Sequence, residues 1–209
     1  DYLQVRMKAI FETLEILHTD TLGGELFITP VGSNRILKVE EVNITYDGVS
    51  QKAYRCYFLG EQDGSKVENK WKVGDQARSK SFNLTQGKYH NVGNHYYWRL
   101  VIGVSTETVE IDGKKYHYVD LSDIDKDAAS DEPMVDDILN QCGNRTDITR
   151  QSCLVFSAVD TYSPCITLYH GVDGYTFNNK EYVDYGVNHS TNKAFFHVYG
   201  DMYFGDRPT

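Results

Sequence analysis

The chain reads as mainly β, built of antiparallel sandwich-like or barrel-like modules, with room for one short helix near its N-terminus. Three observations predict this. The dipeptides Asp47-Gly48, Asp63-Gly64 and Asp112-Gly113 each lie between strand-like runs, and Asp or Gly tolerates the positive φ of a tight hairpin turn. Strand-like runs recur at a spacing of about ten residues, the rhythm of an all-β sandwich or barrel. The aromatic content is high, with 16 Tyr, 9 Phe and 2 Trp among 209 residues, and such side chains suit pleated, half-buried surfaces.

The elements follow in order. Residues 3 to 22 are ambiguous: Val5, Met7, Ile10, Phe11, Leu14 and Leu17 form a helical stripe, yet the same stretch could run as a long strand. Propensity leans to helix from Lys8 to Leu17. Gly23-Gly24 ends that element, and Glu25 to Thr29 reads as a strand stopped by Pro30. Ala53 to Leu59 and Val67 to Val73 flank the second Asp-Gly turn. Val109 to Ile111 and Lys115 to Leu121 flank the third. His95 to Val104 is the strongest strand. Later strands are expected at Ile138 to Cys142, Ser152 to Val159, Ile166 to Tyr169, Tyr175 to Phe177 and Ala194 to Phe204.

Asp120 to Asp137 holds eight carboxylates against one base, Lys126, and lacks apolar periodicity. It reads as an exposed loop or linker. The expected organisation is an N-terminal connector or assembly element (1–30), a first β module (31–131) and a second (132–209). Val73-Gly74-Asp75-Gln76-Ala77 and Val135-Asp136-Asp137-Ile138-Leu139 echo each other, each with an acidic turn before a strand. The echo either marks equivalent positions in the two modules or is coincidence.

Composition excludes several functions. The net charge is −9 and no Lys/Arg run occurs, so nucleic acid is not expected as a partner. The longest apolar run, Leu100 to Val104, is far short of the roughly 18 residues a membrane helix needs, so membrane insertion is not expected. The start at Asp1, with neither Met nor signal peptide, reads as that of a fragment. Cys56, Cys142, Cys153 and Cys165 match no CxxC pattern and read as free, partly buried thiols.

Chemistry is sparse. Asp123, Asp125 and Asp127 share a DxDxD spacing that could bring three oxygens to calcium. Ala128 and Met134 stand where an EF-hand loop needs Gly and Glu, so a solvated acidic loop is the better reading. His90 and His95 lack companions at zinc-site spacing and read as turn-flanking histidines. No nucleophile elbow, HExxH or P-loop occurs; no catalytic residue, metal or cofactor is assigned, and no enzyme is expected. Tyr96, Tyr97 and Trp98 alternate in facing, Tyr96 with Trp98 and Tyr97 opposite. They either fill the core or form a surface platform for a sugar ring, and only as the latter are they a candidate binding site. Gly143 to Asp147 is a polar turn with good capping groups.

A resemblance adds to this reading. Asp136 to Asp147, closed by Arg150-Gln151-Ser152, resembles a "GDDIVQLGNRTDxxRQ" block found in large tail proteins of phages and prophages of Bacteroides-type bacteria. Tyr54 to Leu59 with Glu61 to Gly64 resembles their "RCYFLAEQDG". Val73 to Arg78, Tyr89 to Val92, Asn94 to Arg99, Phe196 to Asp201 and Gly205-Asp206 extend the likeness collinearly along the chain. The chain departs from the pattern at Val135, Cys142 and Cys153. The resemblance implies a structural piece of a tail tip or tail fibre in the virion, contacting other tail proteins and sister chains. It implies elongated, often threefold assemblies near the host surface, where a glycan is a further expected partner. The alternative is a carbohydrate-binding β module of a secreted or surface protein. Residues 2 to 22 carry apolar side chains on too many sides for one buried face, and are expected to meet partners in assembly.

Overall fold

The computed structural model describes residues 24–62, 65–82, 94–158 and 162–202. Among the described residues the chain is mainly β, all its ladders are antiparallel, and no α-helix occurs. The ambiguous stretch from 3 to 22 and His90 lie outside them. The strands are β1 (Glu25–Ile28), β2 (Ser33–Arg35), β3 (Lys38–Tyr46), β4 (Val49–Leu59), β5 (Glu61–Gln62), β6 (Ser65–Lys66), β7 (Asp75–Phe82) and β8 (Asn94–Val104). Then come β9 (Val109–Ile111), β10 (Lys114–Lys126), β11 (Ile138–Asn144), β12 (Cys153–Ser157), β13 (Cys165–Tyr169), β14 (Glu181–Asn188) and β15 (Lys193–Val198).

Two of the Asp-Gly turns are hairpin turns as expected. Asp47 and Gly48 have φ of 50° and 75°, and Asp112 and Gly113 have 50° and 74°, the double positive φ of a type I′ turn. The first joins β3 to β4 and the second joins β9 to β10.

The larger sheet has the order β2-β11-β7-β8-β10-β4-β3, with β9 added to β10. Its two ends meet. β2 pairs with β11, the chain continues directly into β3, and β3 pairs with β4. At the seam the Ile36 N–H donates to the Asp137 carbonyl at 2.9 Å, and the Leu37 N–H donates to the Tyr57 carbonyl at 2.7 Å. The sheet therefore closes into a barrel, which removes most of its free edge. Alternate residues point inward: Tyr54, Cys56 and Phe58 from β4, Tyr97 and Val101 from β8, Val119 and Leu121 from β10, with Ala77 and Leu139. All are buried.

Three expectations need correction here. Val67 to Val73 is not a strand. Asn69 takes up backbone groups instead, donating to the Ser105 and Tyr118 carbonyls, and Trp71 joins the barrel core with its indole N–H donating to Asn34 Oδ1 at 2.8 Å. Tyr175 to Phe177 is irregular too, and both rings pack against the second core. Asp120 to Asp137 is not an exposed linker. β10 runs through its first third, and the rest completes β8: the Tyr96 N–H donates to Asp131 Oδ2 and the Trp98 N–H to Ser130 Oγ, each at 3.0 Å. In return Tyr96 and Trp98 accept at their carbonyls from the Asp131 and Asp127 N–H groups. A buried strand must satisfy its backbone, and polar side chains do so here without any periodicity to betray them.

The echo is structural. Lys72–Asp75 and Met134–Asp137 are matching turns with positive φ at Gly74 (94°) and Asp136 (73°). In each the final Asp accepts from the backbone N–H three residues earlier, at 2.8 Å and 2.7 Å. They lead into β7 and β11, which pair with each other in one barrel rather than marking two modules.

The second sheet has the order β1-β12-β13-β14-β15. One face packs Phe27, Cys153 and Val155 against Trp98 and Cys142 of the barrel's outer wall, with Val172, Tyr169, Tyr175 and Phe177 filling in. Arg78 is buried at this junction. Its guanidinium lies 5.1 to 5.8 Å from the ring centres of Phe27, Phe177, Trp98 and Tyr96 and 3.0 Å from Glu25. The sheets divide the chain differently from the segments 1–30, 31–131 and 132–209. β1 belongs to the five-stranded sheet, and β11 belongs to the barrel although it follows residue 131.

Candidate functional site

Of the residues singled out from sequence, the aromatic run needs correction first. Tyr97 is buried inside the barrel, and Trp98 is buried at the junction of the two sheets. Tyr96 shares the Trp98 side, half-buried, with its hydroxyl donating to Asp127 at 2.7 Å. Burial first, then that carboxylate, raises the Tyr96 phenol above its ordinary value. The alternation is as expected, but both faces are covered, so no exposed sugar platform forms there.

The three aspartates do not converge. Asp123 holds Lys126 and Arg99 at 3.1 and 3.3 Å, Asp125 holds Arg145 and the Tyr175 hydroxyl, and Asp127 holds Tyr96 and the Ala129 N–H. Each carboxylate has its own cationic or hydroxyl partner, so the reading as a merely solvated loop is also corrected. His95 is buried, with Nε2 2.9 Å from Asp137. All four cysteines are buried, Cys56, Cys142 and Cys153 as free thiols, and burial pushes the Cys153 thiol up to about 12.

Gly143 to Gln151 is a knot. Asn144 Oδ1 accepts from the N–H groups of Thr146 and Asp147 while its Nδ2 donates to Asp75 Oδ1 at 2.9 Å. Arg150 donates to both Asp75 oxygens, at 2.8 and 2.6 Å. Gln151 donates to the Asn144 carbonyl, and Gln141 donates to the carbonyls of Gly143 and Arg150. Gly143 lies against Val172, where a Cβ would strike the Val172 carbonyl. These groups are spent on structure.

Sequence reasoning missed a concave region among the described residues. On the five-stranded sheet the face that covers the barrel extends past it over β13, β14 and β15. There a cavity of about 690 Å³ opens. Register fixes its floor. Thr167, Asp184 and His197 face each other in one rung, Gly186 faces Phe195 in the next, and Cys165 lies against Gly186. Gly186 leaves space that Phe195 fills, and Tyr162 meets Phe195 edge-on at 5.3 Å. Phe195 stacks on His197 at 4.6 Å, and Tyr199 extends the row. Asn188, Lys193 and Glu181 also line it. Among the described residues, the side chains of Glu181, Asp184, Lys193 and His197 make no hydrogen bond or ion pair, unlike Asp75, Asp120 and Asp137 of the barrel. The signal available in sequence is the alternation Phe195, His197, Tyr199, which by itself points only to a strand.

The opposite face of this sheet is entirely apolar. Leu26, Ile28, Leu154, Phe156, Ile166, Leu168, Val183, Tyr185, Phe196 and Val198 share it by register, and none is buried. Ile28, Tyr185 and Phe196 are more than half exposed. No family model, no curated protein and no solved structure is found to match this chain.

Proposed function

We propose that this chain is a non-catalytic structural module of a phage tail tip or tail fibre, carried in the virion and assembled with sister chains and other tail proteins. The observation that carries the reading is the bare apolar face of the five-stranded sheet. A soluble monomer rarely exposes a contiguous apolar patch of this kind, and such patches mark contact surfaces. The face carries no charge that would repel its own copy, which favours sister chains as the cover. The threefold, elongated arrangement comes from the resemblance of Tyr54 to Gly64 and Asp136 to Ser152 to phage tail proteins. The knot at Gly143 to Gln151 supports a structural role, because the polar residues of that block are consumed in holding β7, β11 and the following turn together. Antibodies raised against this chain should decorate one end of the tails in phage particles that carry its gene. Particles that lack the chain, with the protein found in a secreted fraction instead, would overturn the reading.

A further inference from the structure

We infer that the cavity over β13, β14 and β15 is a binding site for a neutral oligosaccharide. Its volume, about 690 Å³, lies within the range of ordinary small-ligand sites. The chemistry selects the class. Tyr199 and Tyr162 are exposed rings, and His197 is an exposed ring stacked on Phe195. Ring faces pack against the C–H faces of a pyranose, because these carry the weakly positive hydrogens that an aromatic face attracts. Beside the rings stand polar groups with unspent capacity. The carboxylates of Asp184 and Glu181 accept hydroxyls, and Lys193 and His197 donate to them. A sugar presents alternating apolar faces and hydroxyl edges, which is what this mixture of rings and polar groups matches.

Charge narrows the class further. Two carboxylates against one ammonium give the cavity a negative balance, on a chain whose net charge is −9. Sialic or uronic acids and phosphorylated sugars are therefore disfavoured, and neutral hexose oligomers are favoured. The site lies on the face opposite the bare apolar surface, so it stands or falls independently of the assembly reading.

The test uses the full 209-residue chain on an array of neutral hexose oligomers, with sialyllactose and uronic acid oligomers alongside. Binding is then quantified by titration calorimetry with the strongest neutral oligomer. Asp184→Asn and Tyr199→Ala should each weaken binding at least tenfold, whereas Tyr185→Ala, on the opposite face, should leave it unchanged. If Asp184→Asn loses its cooperative melt, the exposed Tyr199→Ala decides alone. No binding to any neutral oligomer at millimolar concentration would overturn the inference. So would preference for the acidic sugars, or neutral binding unaffected by Tyr199→Ala.

Discussion

The cysteines show how burial sets chemistry at single residues. Cys56 lies in the barrel core, and Cys142 and Cys153 lie at the junction of the sheets. Desolvation penalises the thiolate, so the Cys56 and Cys142 thiols ionise well above their ordinary range and Cys153 is pushed up to about 12. The linkage has a definite sign. An unfolded thiol ionises near pH ~8.5 while the folded one stays neutral, so this contribution is complete below that pH and is lost as pH rises toward the folded value. Thermal melts in reductant should therefore fall steadily above about pH 8.5, at up to about 1.4 kcal/mol per pH unit for each thiol. Replacing Cys142 and Cys153 together with Val should flatten that slope and cost less than about 1.5 kcal/mol at pH 7, as volume-conserving core changes do. A slope unchanged by the double substitution would show that these thiols ionise alike in the folded and unfolded states, and would contradict the role of burial.

Elements are joined by polar groups more than by periodicity. The Asp75 carboxylate has no exposed side-chain surface, and it takes both donors of Arg150 together with Asn144. That arrangement ties the start of β7 to the turn after β11. Arg150→Met should cost about 3–5 kcal/mol in urea unfolding, because it strands a buried charge. Asp75→Asn combined with Arg150→Met should cost less than the two changes summed. A loss under about 1 kcal/mol for Arg150→Met would contradict the role. Such ties explain what sequence could and could not show. Asp47-Gly48 and Asp112-Gly113 were legible because a positive φ has few residue solutions. β8 was legible from its unbroken β-favourable run. β14 was missed although its Glu181–Asn188 sequence carries Tyr182, Val183, Tyr185 and Val187, because Asp184 and Gly186 interrupt the run for the sake of the cavity. The acidic segment was misread because hydrogen bonds from Ser130 and Asp131 to β8 leave no repeating pattern. The cavity was illegible because three strands supply it, and register between strands is not written in any one of them.

At the scale of the molecule, a barrel with its own core carries a five-stranded sheet on its wall, and that sheet has two unlike faces. One face covers the barrel and then opens into the cavity, while the other is apolar from β1 to β15. Sheets bury apolar faces by stacking at about 10 Å, so a second layer is expected over this one. The central claim is that the second layer comes from sister chains. The most direct test is the solution mass of the full chain by light scattering across a dilution series, beside a variant carrying Tyr185→Lys and Phe196→Lys. The account predicts an oligomer for the unaltered chain that dissociates on dilution, and a folded monomer for the variant at every concentration. A monomer at all concentrations for the unaltered chain, or an oligomer of unchanged mass in the variant, would contradict it.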